Sequence, residues 1–199
     1  MDVKYIEKNT DTVVEYYESI TSTNDRAKEI AESLLENRAV LKDKFGKNRR
    51  YANLIIAEDQ TKGRGTNGRV WLSAKEKNIL MTMLLYPEKN VKELEGITYK
   101  IAEMVRAAIK ELYDIELTIK LPNDLLLHSK KVSGILTESS VRDEKVNYLI
   151  IGIGFNVNQI EFPSELENIA TSLKKEYIGN DYRREDIIIK IFNNVKSLI

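Results

Sequence analysis

Between Thr12 and Tyr17 the chain gathers β-branched and aromatic residues, a composition that suits a pleated, half-buried surface and predicts a first strand. Ala27, Ile30, Ala31, Leu34 and Leu35 then recur at helical spacing, and Ser22 stands where an N-cap belongs, with Asp25 three residues on. Leu54 to Ala57 predicts a short buried strand and Asn78 to Leu85 a longer one. Ile101, Met104, Val105, Ala108, Ile109 and Leu112 form the clearest helical stripe of the chain. Short strands follow near 116–119, 124–127, 132–138 and 147–153. A last helix over about 183–198 carries Ile187, Ile188, Ile191, Phe192, Val195 and Leu198. Helices near the start, in the middle and at the end, set around many strands, predict an α+β domain with the Met and Tyr of the stripes in its core. Residues 36–53 (ENRAVLKDKFGKNRRYAN) are polar and basic and read as an exposed connection.

Composition narrows the chemistry more than the fold. The 199 residues suffice for one sizeable core, and with no repeat or proline-rich linker they read as a single domain over 1–199. A 42% hydrophobic and 31% charged makeup excludes low-complexity disorder. There is no Cys, which removes disulfides, thiolate metal sites and cysteine nucleophiles. The single His, His128, rules out a histidine zinc cluster and reads as a surface residue near a turn. Basic and acidic residues balance at 31 each, which argues against nucleic acid as a partner. No apolar run approaches the roughly 20 residues a bilayer span needs. The N-terminus MDVKYIEKNTD lacks a signal-peptide stretch, so the expected compartment is the cytoplasm, away from membranes.

The most informative segment is Gln60-Thr61-Lys62-Gly63-Arg64-Gly65-Thr66-Asn67-Gly68-Arg69-Val70-Trp71. Glycines at 63, 65 and 68 permit a backbone that turns its N–H groups inward around an anion. Arg64 and Arg69 add charges that carboxylate or phosphate can meet bidentately, and Lys62 a more mobile one. The dinucleotide-binding glycine motif requires a helix at the glycines, whereas here a strand follows. The NTPase phosphate loop ends in Gly-Lys-Ser/Thr, and Gly68-Arg69-Val70 does not. Val70 completes the kinase glycine pattern, yet no His-Arg-Asp or Asp-Phe-Gly follows. The plain alternative is a connecting loop turning at Asn67-Gly68, although the gap between the flanking strands is too long for a tight hairpin.

Two later segments sit close to strands. Lys120-Leu121-Pro122-Asn123-Asp124 has turn chemistry, and Lys130-Lys131-Val132-Ser133-Gly134-Ile135-Leu136 opens a strand in which Gly134 permits close approach of a ligand. Ile150 to Asn158 is an apolar strand broken by Gly152 and Gly154. Those glycines mark either a bulge or space cleared for a flat ring, with the Asn156 amide at the strand's end.

Taken in order, these segments resemble the catalytic domain of the biotin protein ligases. Ser22-Thr23-Asn24 is similar to that family's biotin-binding Ser-Thr-Asn, and Gly63 to Trp71 to its Gly-Arg-Gly-Arg-x-Gly-Arg-x-Trp loop. Lys120 to Asp124 resembles Lys-Trp-Pro-Asn-Asp, Lys131 to Leu136 resembles Lys-x-x-Gly-Ile-Leu, and Gly152 to Asn156 matches Gly-x-Gly-x-Asn. The resemblance covers roughly residues 12–198. It implies a mixed, mostly antiparallel sheet packed with helices, the class II aminoacyl-tRNA-synthetase-like fold of biotin and lipoate ligases.

The implied reaction has two steps. ATP and biotin, with Mg²⁺, give biotinyl-5′-adenylate, and a lysine on the biotin carrier domain of a biotin-dependent carboxylase then takes the biotin. The resemblance assigns catalysis to Arg64, Lys120 and Lys131. Biotin binding falls to Ser22, Thr23, Asn24, Gln60, Arg64, Gly65, Thr66, Lys131, Gly134 and Gly154. The nucleotide falls to Arg69, Trp71, Asn123, Asp124 and Asn156, and a metal to Asp124. A homodimer is compatible with it.

Three departures bear on function. Thr66 stands where the family has an arginine, which predicts weaker retention of the adenylate. Leu121 replaces the usual Trp and is expected to alter packing only. No winged-helix domain precedes residue 12 and no small C-terminal β-domain follows the last helix, so a repressor role is not expected and carrier recognition is put in doubt. Two other readings stay open: a lipoate or octanoate ligase of the same fold, and a non-catalytic biotin- or carrier-binding module.

Overall fold

A computed structural model describes residues 1–36, 52–87 and 89–198. Helix α1 (Val3–Thr10) opens the chain, capped by the Asp2 side chain, which accepts from the Tyr5 amide, and closed by Asp11 in the left-handed region. The apolar pattern misses this helix, because it buries only Ile6 and Thr10, too few positions to form a stripe. Strand β1 (Val14–Tyr17) precedes α2 (Thr23–Glu36), and β2 (Ala52–Ala57) and β3 (Ile79–Leu85) come next. Helix α3 (Ile97–Tyr113) leads into β4 (Thr118–Lys120), β5 (Asp124–Leu127), β6 (Lys130–Arg142) and β7 (Lys145–Phe155). A single-turn α4 (Leu173–Glu176) and the long α5 (Arg184–Lys196) complete the order. The basic connection expected over 36–53 lies outside the described residues except at its ends.

The sheet runs β1-β2-β3-β7-β6-β5-β4, with β1 and β2 parallel and every other neighbouring pair antiparallel. Mixed, mostly antiparallel pairing is the architecture that the sequence implies. One face of the sheet carries Met81, Met83, Ile135, Ile151 and Ile153, packed in the same cluster as Val105 and Ile109 of α3 and Ile191 and Phe192 of α5. Each such fully buried side chain contributes roughly 1.5–3 kcal/mol of transfer free energy. Ile55, Leu84, Tyr148 and Ile150 belong to the other face, where Ala27 and Ala31 of α2 cover them.

Strand register decides what lies beyond the end of α2. Gly152 pairs with Thr82 on one side and Leu136 on the other, and Gly154 pairs with Leu80 and Gly134. Paired residues share a face, so this stretch continues the one under α2, but with Gly134, Gly152 and Gly154 half of its side chains are reduced to hydrogen. A small helix on a wide sheet thus leaves a floor of glycines open. Strand β7 passes through both glycines without a register shift there, so they do not mark a bulge.

A clasp joins the ends of the fold. Arg184, at the start of α5, grips the buried Glu58 carboxylate through Nη1 at 2.5 Å and Nη2 at 3.1 Å. Tyr16 of β1 donates to the same carboxylate at 3.1 Å. Burial works to raise the Glu58 pKa, but the Arg184 guanidinium and the Tyr16 hydroxyl outweigh it and hold it below the usual carboxylate value.

Candidate active site

A cleft of about 440 Å³ opens over the glycine floor. Every residue assigned to the site from the sequence lines it, from Ser22 at the start of α2 to Asn156 past the end of β7. Local pairing explains the assembly. The parallel register of β1 and β2 continues past the strands through a bridge between Ile20 and Gln60, with the Thr61 and Lys62 amides donating to Ile20 and Thr21. That ladder lays Ser22-Thr23-Asn24 beside the entrance of the glycine loop. Ser22 takes up the predicted cap, its hydroxyl accepting weakly from the Asp25 amide at 3.4 Å.

The side chains behind this corner are fixed. Gln60 Oε1 accepts from the Thr23 amide at 2.8 Å and from the Thr23 hydroxyl at 3.0 Å. Thr82, fully buried in the middle of β3, donates to Asn24 Oδ1 at 2.7 Å. Asn24 Nδ2 in turn donates to Glu138 Oε2 at 2.8 Å. A Cβ at Gly152 would lie 2.2 Å from Asn24 Oδ1, so the space cleared there is taken by a side chain of this chain.

The glycine loop closes on itself as a small hairpin. The Gly65 amide donates to the Arg69 carbonyl at 2.7 Å and the Trp71 amide to the Gly63 carbonyl at 2.9 Å. Asn67 and Gly68 turn it in the left-handed region, at φ of 57° and 72°. The hairpin consumes the Gly65 and Trp71 amides, so these two do not contribute to an inward nest of N–H groups. A hairpin is nonetheless present, nested inside the long gap between β2 and β3. The loop's two arginines make their own side-chain contacts. Arg64 Nη2 lies 2.7 Å from Asp25 and donates to Glu138 at 3.0 Å, while Arg69 Nη2 donates to the Thr66 hydroxyl at 2.7 Å.

Trp71 lies flat on the floor. A Cβ on Gly154 would meet Trp71 Cε2 at 2.4 Å, and one on Gly134 would meet Cζ3 at 3.0 Å. The flat ring for which the glycines make room is, in this structure, the chain's own indole. Its Nε1 is buried with no hydrogen-bond partner among the described residues.

The far end is built by β4, β5 and β6. Lys120 and Asp124 pair across the short β4–β5 hairpin, whose Leu121–Pro122 bond is cis. Asn123 serves as a clamp: its Nδ2 donates to the Ile135 carbonyl at 2.9 Å, and its own carbonyl accepts from the Ile135 amide. Leu121, which stands where the family has a Trp, is 70% exposed. Lys131 Nζ lies 2.7 Å from Asp124 Oδ1 and 5.4 Å from the Trp71 ring centroid. The contact with Asp124 is an ion pair by distance but misses hydrogen-bond angles, leaving that buried oxygen without a hydrogen bond. Asn156 donates from Nδ2 to the Thr171 carbonyl at 3.0 Å, and its buried Oδ1 accepts from none of the described residues.

Several lining or supporting residues escaped sequence reasoning. Phe162, Leu166, Asn168, Ile169 and Ala170 form a strap that closes one wall, tied down by the Lys131 amide on the Ile169 carbonyl at 2.8 Å. The stretch Glu161 to Ala170 carries no periodicity that would announce it. Asp25 and Thr82 had a signal, a charge opening a helix beside a motif and a hydroxyl interrupting an otherwise apolar strand, whereas Glu138 sits among Thr137, Ser139 and Ser140 and had none. His128 is exposed as expected, but its Nδ1 contacts Glu176 at 2.9 Å.

The chain belongs to the biotin/lipoate A/B protein ligase family, whose sequence model matches residues 16–156. It is 36% identical over 162 residues to the bifunctional ligase/repressor BirA of Bacillus subtilis, a match covering 80% of this chain and 46% of that protein. Against the biotin–[acetyl-CoA-carboxylase] ligase of Paracoccus denitrificans, identity is 35% over 112 residues, covering 52% of this chain and 43% of that one. These matches span less than half the length of either relative. The solved biotin protein ligase from Aquifex aeolicus in complex with biotin and ATP superposes with a TM-score of 0.70 at 32% identity, covering 93% of this chain and 69% of that chain.

Proposed function

We propose that this chain activates biotin with ATP to biotinyl-5′-adenylate and transfers the biotin to a lysine of a carboxylase's biotin carrier domain, in the cytoplasm. The observation that carries the reading is the convergence on one cleft of five separate sequence segments, each a match to the family's motif. In the first step a biotin carboxylate oxygen bonds to the α-phosphorus of ATP and pyrophosphate leaves. Two anions must meet, and Arg64, Arg69, Lys120 and Lys131 offset their repulsion and the charge that develops. In the second step the carrier's amine attacks the mixed anhydride, losing a proton as AMP departs. No enzyme nucleophile is required, in keeping with a chain that has no Cys.

Residues divide along the cleft. Ser22, Thr23, Asn24, Gln60 and Arg64 receive the biotin head, with Gly65, Thr66, Gly134 and Gly154 lining its path and Lys131 meeting the carboxylate or α-phosphate. Asn156 Oδ1, a buried acceptor with no partner among the described residues, suits an adenine amino group. Trp71 covers the nucleotide and Arg69 its phosphates, while Asn123 acts by fixing the β5 turn. Among the described residues no cluster of three acidic, His or Cys groups builds a metal cage. Mg²⁺ carried on a triphosphate needs only one or two protein carboxylates, and the buried Asp124 Oδ1 offers one such oxygen. When bound, the metal would supply charge neutralisation at the phosphates.

Biotin-dependent exchange of pyrophosphate into ATP tests the reading on the chain as it stands. Exchange with biotin and not with lipoate is expected. Exchange with lipoate alone would transfer the activity to the other branch of the family. No exchange with either acid, with biotin still bound, would leave a binding module.

A further inference from the structure

Glu138 belongs to none of the motifs, yet it is the point where two of them meet. Its carboxylate, on β6, accepts from Asn24 Nδ2 at 2.8 Å and from Arg64 Nη2 at 3.0 and 3.2 Å. Asn24 comes from the first turn of α2, whereas Arg64 comes from the glycine hairpin, and no direct hydrogen bond joins them. The Asn24 amide is polarised from both ends. The buried Thr82 hydroxyl holds Oδ1 at 2.7 Å, Glu138 holds Nδ2, and Gly152 leaves only enough room for that placement. Arg64 makes its hydrogen bonds to Glu138 through Nη2 alone, so among the described residues Nε and Nη1 have no hydrogen-bond partner.

We infer that Glu138 is a positioning residue of the acid subsite: it locks the Asn24 amide and the Arg64 guanidinium into one register, so that helix start and hairpin receive the ligand as a unit. The inference rests on the reading of the cleft as a biotin site. Asp25 also pairs with Arg64 at 2.7 Å, but Asp25 sits on the same helix turn as Asn24 and makes no bond to its amide, so it grips the hairpin without orienting the amide. Glu138 alone does both. Its charge, rather than its shape, holds the Arg64 side, and its acceptor oxygen holds the Asn24 side, which separates the two contributions experimentally.

The test is pyrophosphate exchange by the full chain, with KM measured separately for biotin and ATP, on Glu138→Gln and Glu138→Ala. Glutamine keeps an acceptor for Asn24 and loses the charge on half-exposed Arg64, so KM for biotin should rise about threefold. Alanine loses both contacts, and KM for biotin should rise at least about tenfold while KM for ATP stays within about twofold. Biotin titration calorimetry adds a second readout. Asn24→Ala and Arg64→Ala should be non-additive in the native background and additive in Glu138→Ala. An unchanged KM for biotin in Glu138→Ala, or equal rises in both KM values, would overturn the inference while leaving the ligase reading intact. A native chain that shows no biotin-dependent exchange would overturn the ligase reading itself, and the inference with it.

Discussion

Gly152→Ala is the sharpest single probe of how the acid end of the cleft is built. The new methyl would stand 2.2 Å from Asn24 Oδ1 and 2.9 Å from its Cγ, with ordinary contact beginning near 3.4 Å. Asn24 sits on the first turn of α2 and the glycine lies in a strand paired on both sides, so the side chain must give way by more than an ångström. In doing so it leaves the Thr82 hydroxyl, which is fully buried, and the Glu138 carboxylate. The Thr82 hydroxyl keeps Thr23 Oγ1 at 2.8 Å, so the loss falls on the buried Asn24 amide: leaving its Oδ1 short of a partner costs about 1–3 kcal/mol, and the broken charge-assisted bond adds about 1 kcal/mol after allowance for the partial exposure of Glu138. The total of about 2–4 kcal/mol corresponds to a fall of roughly 5–15 °C in Tm for a domain of this size. Biotin affinity, read by titration calorimetry, should drop at least about tenfold, because the displaced amide enters the space the ligand needs. Gly65→Ala is the control for stability: its backbone is extended and its Cβ would meet nothing closer than 3.4 Å, so Tm should hold within about 1 °C. A Gly152→Ala chain with native Tm and native biotin affinity would refute the claim that Asn24 is locked against the strand.

Thr66→Arg should slow release of the adenylate: one exposed charge-assisted contact to phosphate contributes about 1 kcal/mol, roughly fivefold in off-rate, and an unchanged off-rate would contradict it. Trp71 is the chain's only tryptophan, so its emission should shift when biotin and ATP are added together, and a silent spectrum would show that the indole keeps its seat on Gly154. The Glu58 carboxyl is held below its unfolded value of 4.5, so the stability it contributes is present above that pH and lost as pH falls through the folded value. Arg184→Gln should cost about 3–5 kcal/mol at neutral pH and flatten the acid limb of the unfolding curve, as followed by circular dichroism.

The helical stripes of α2, α3 and α5 were legible because each buries one face against the sheet, and burial on one face is what a 3.6-residue period records. Helix α1 was not, since it touches the core mainly through Ile6. The motifs marked which residues reach the cleft but not how they are engaged. Glycines at 152 and 154 announce close approach, yet a sequence does not say that Asn24 and Trp71 are what approaches. The hairpin at Asn67-Gly68 and the anion loop were posed as alternatives, and the backbone is the first while its arginines remain available to the second. Glu138 stayed hidden because its partners lie 114 and 74 residues away, a distance that only the sheet register closes.

Charge at the cleft is more evenly matched than the motif residues imply. Arg64 is held by Asp25 and Glu138, Lys131 lies against Asp124, and Arg69 bonds to Thr66 within its own loop. An arriving carboxylate or phosphate therefore wins an ion pair only by displacing or sharing one already made. The net gain per contact is accordingly smaller than for a bare cation, since the ion pair already made must be given up or shared. Under that regime, retention of a ligand depends on how many cations act at once and how well each is aimed. That dependence is why a single position without its usual charge, Thr66, should register in adenylate release. It is also why a carboxylate that aims Arg64, Glu138, should matter as much as the arginine it holds.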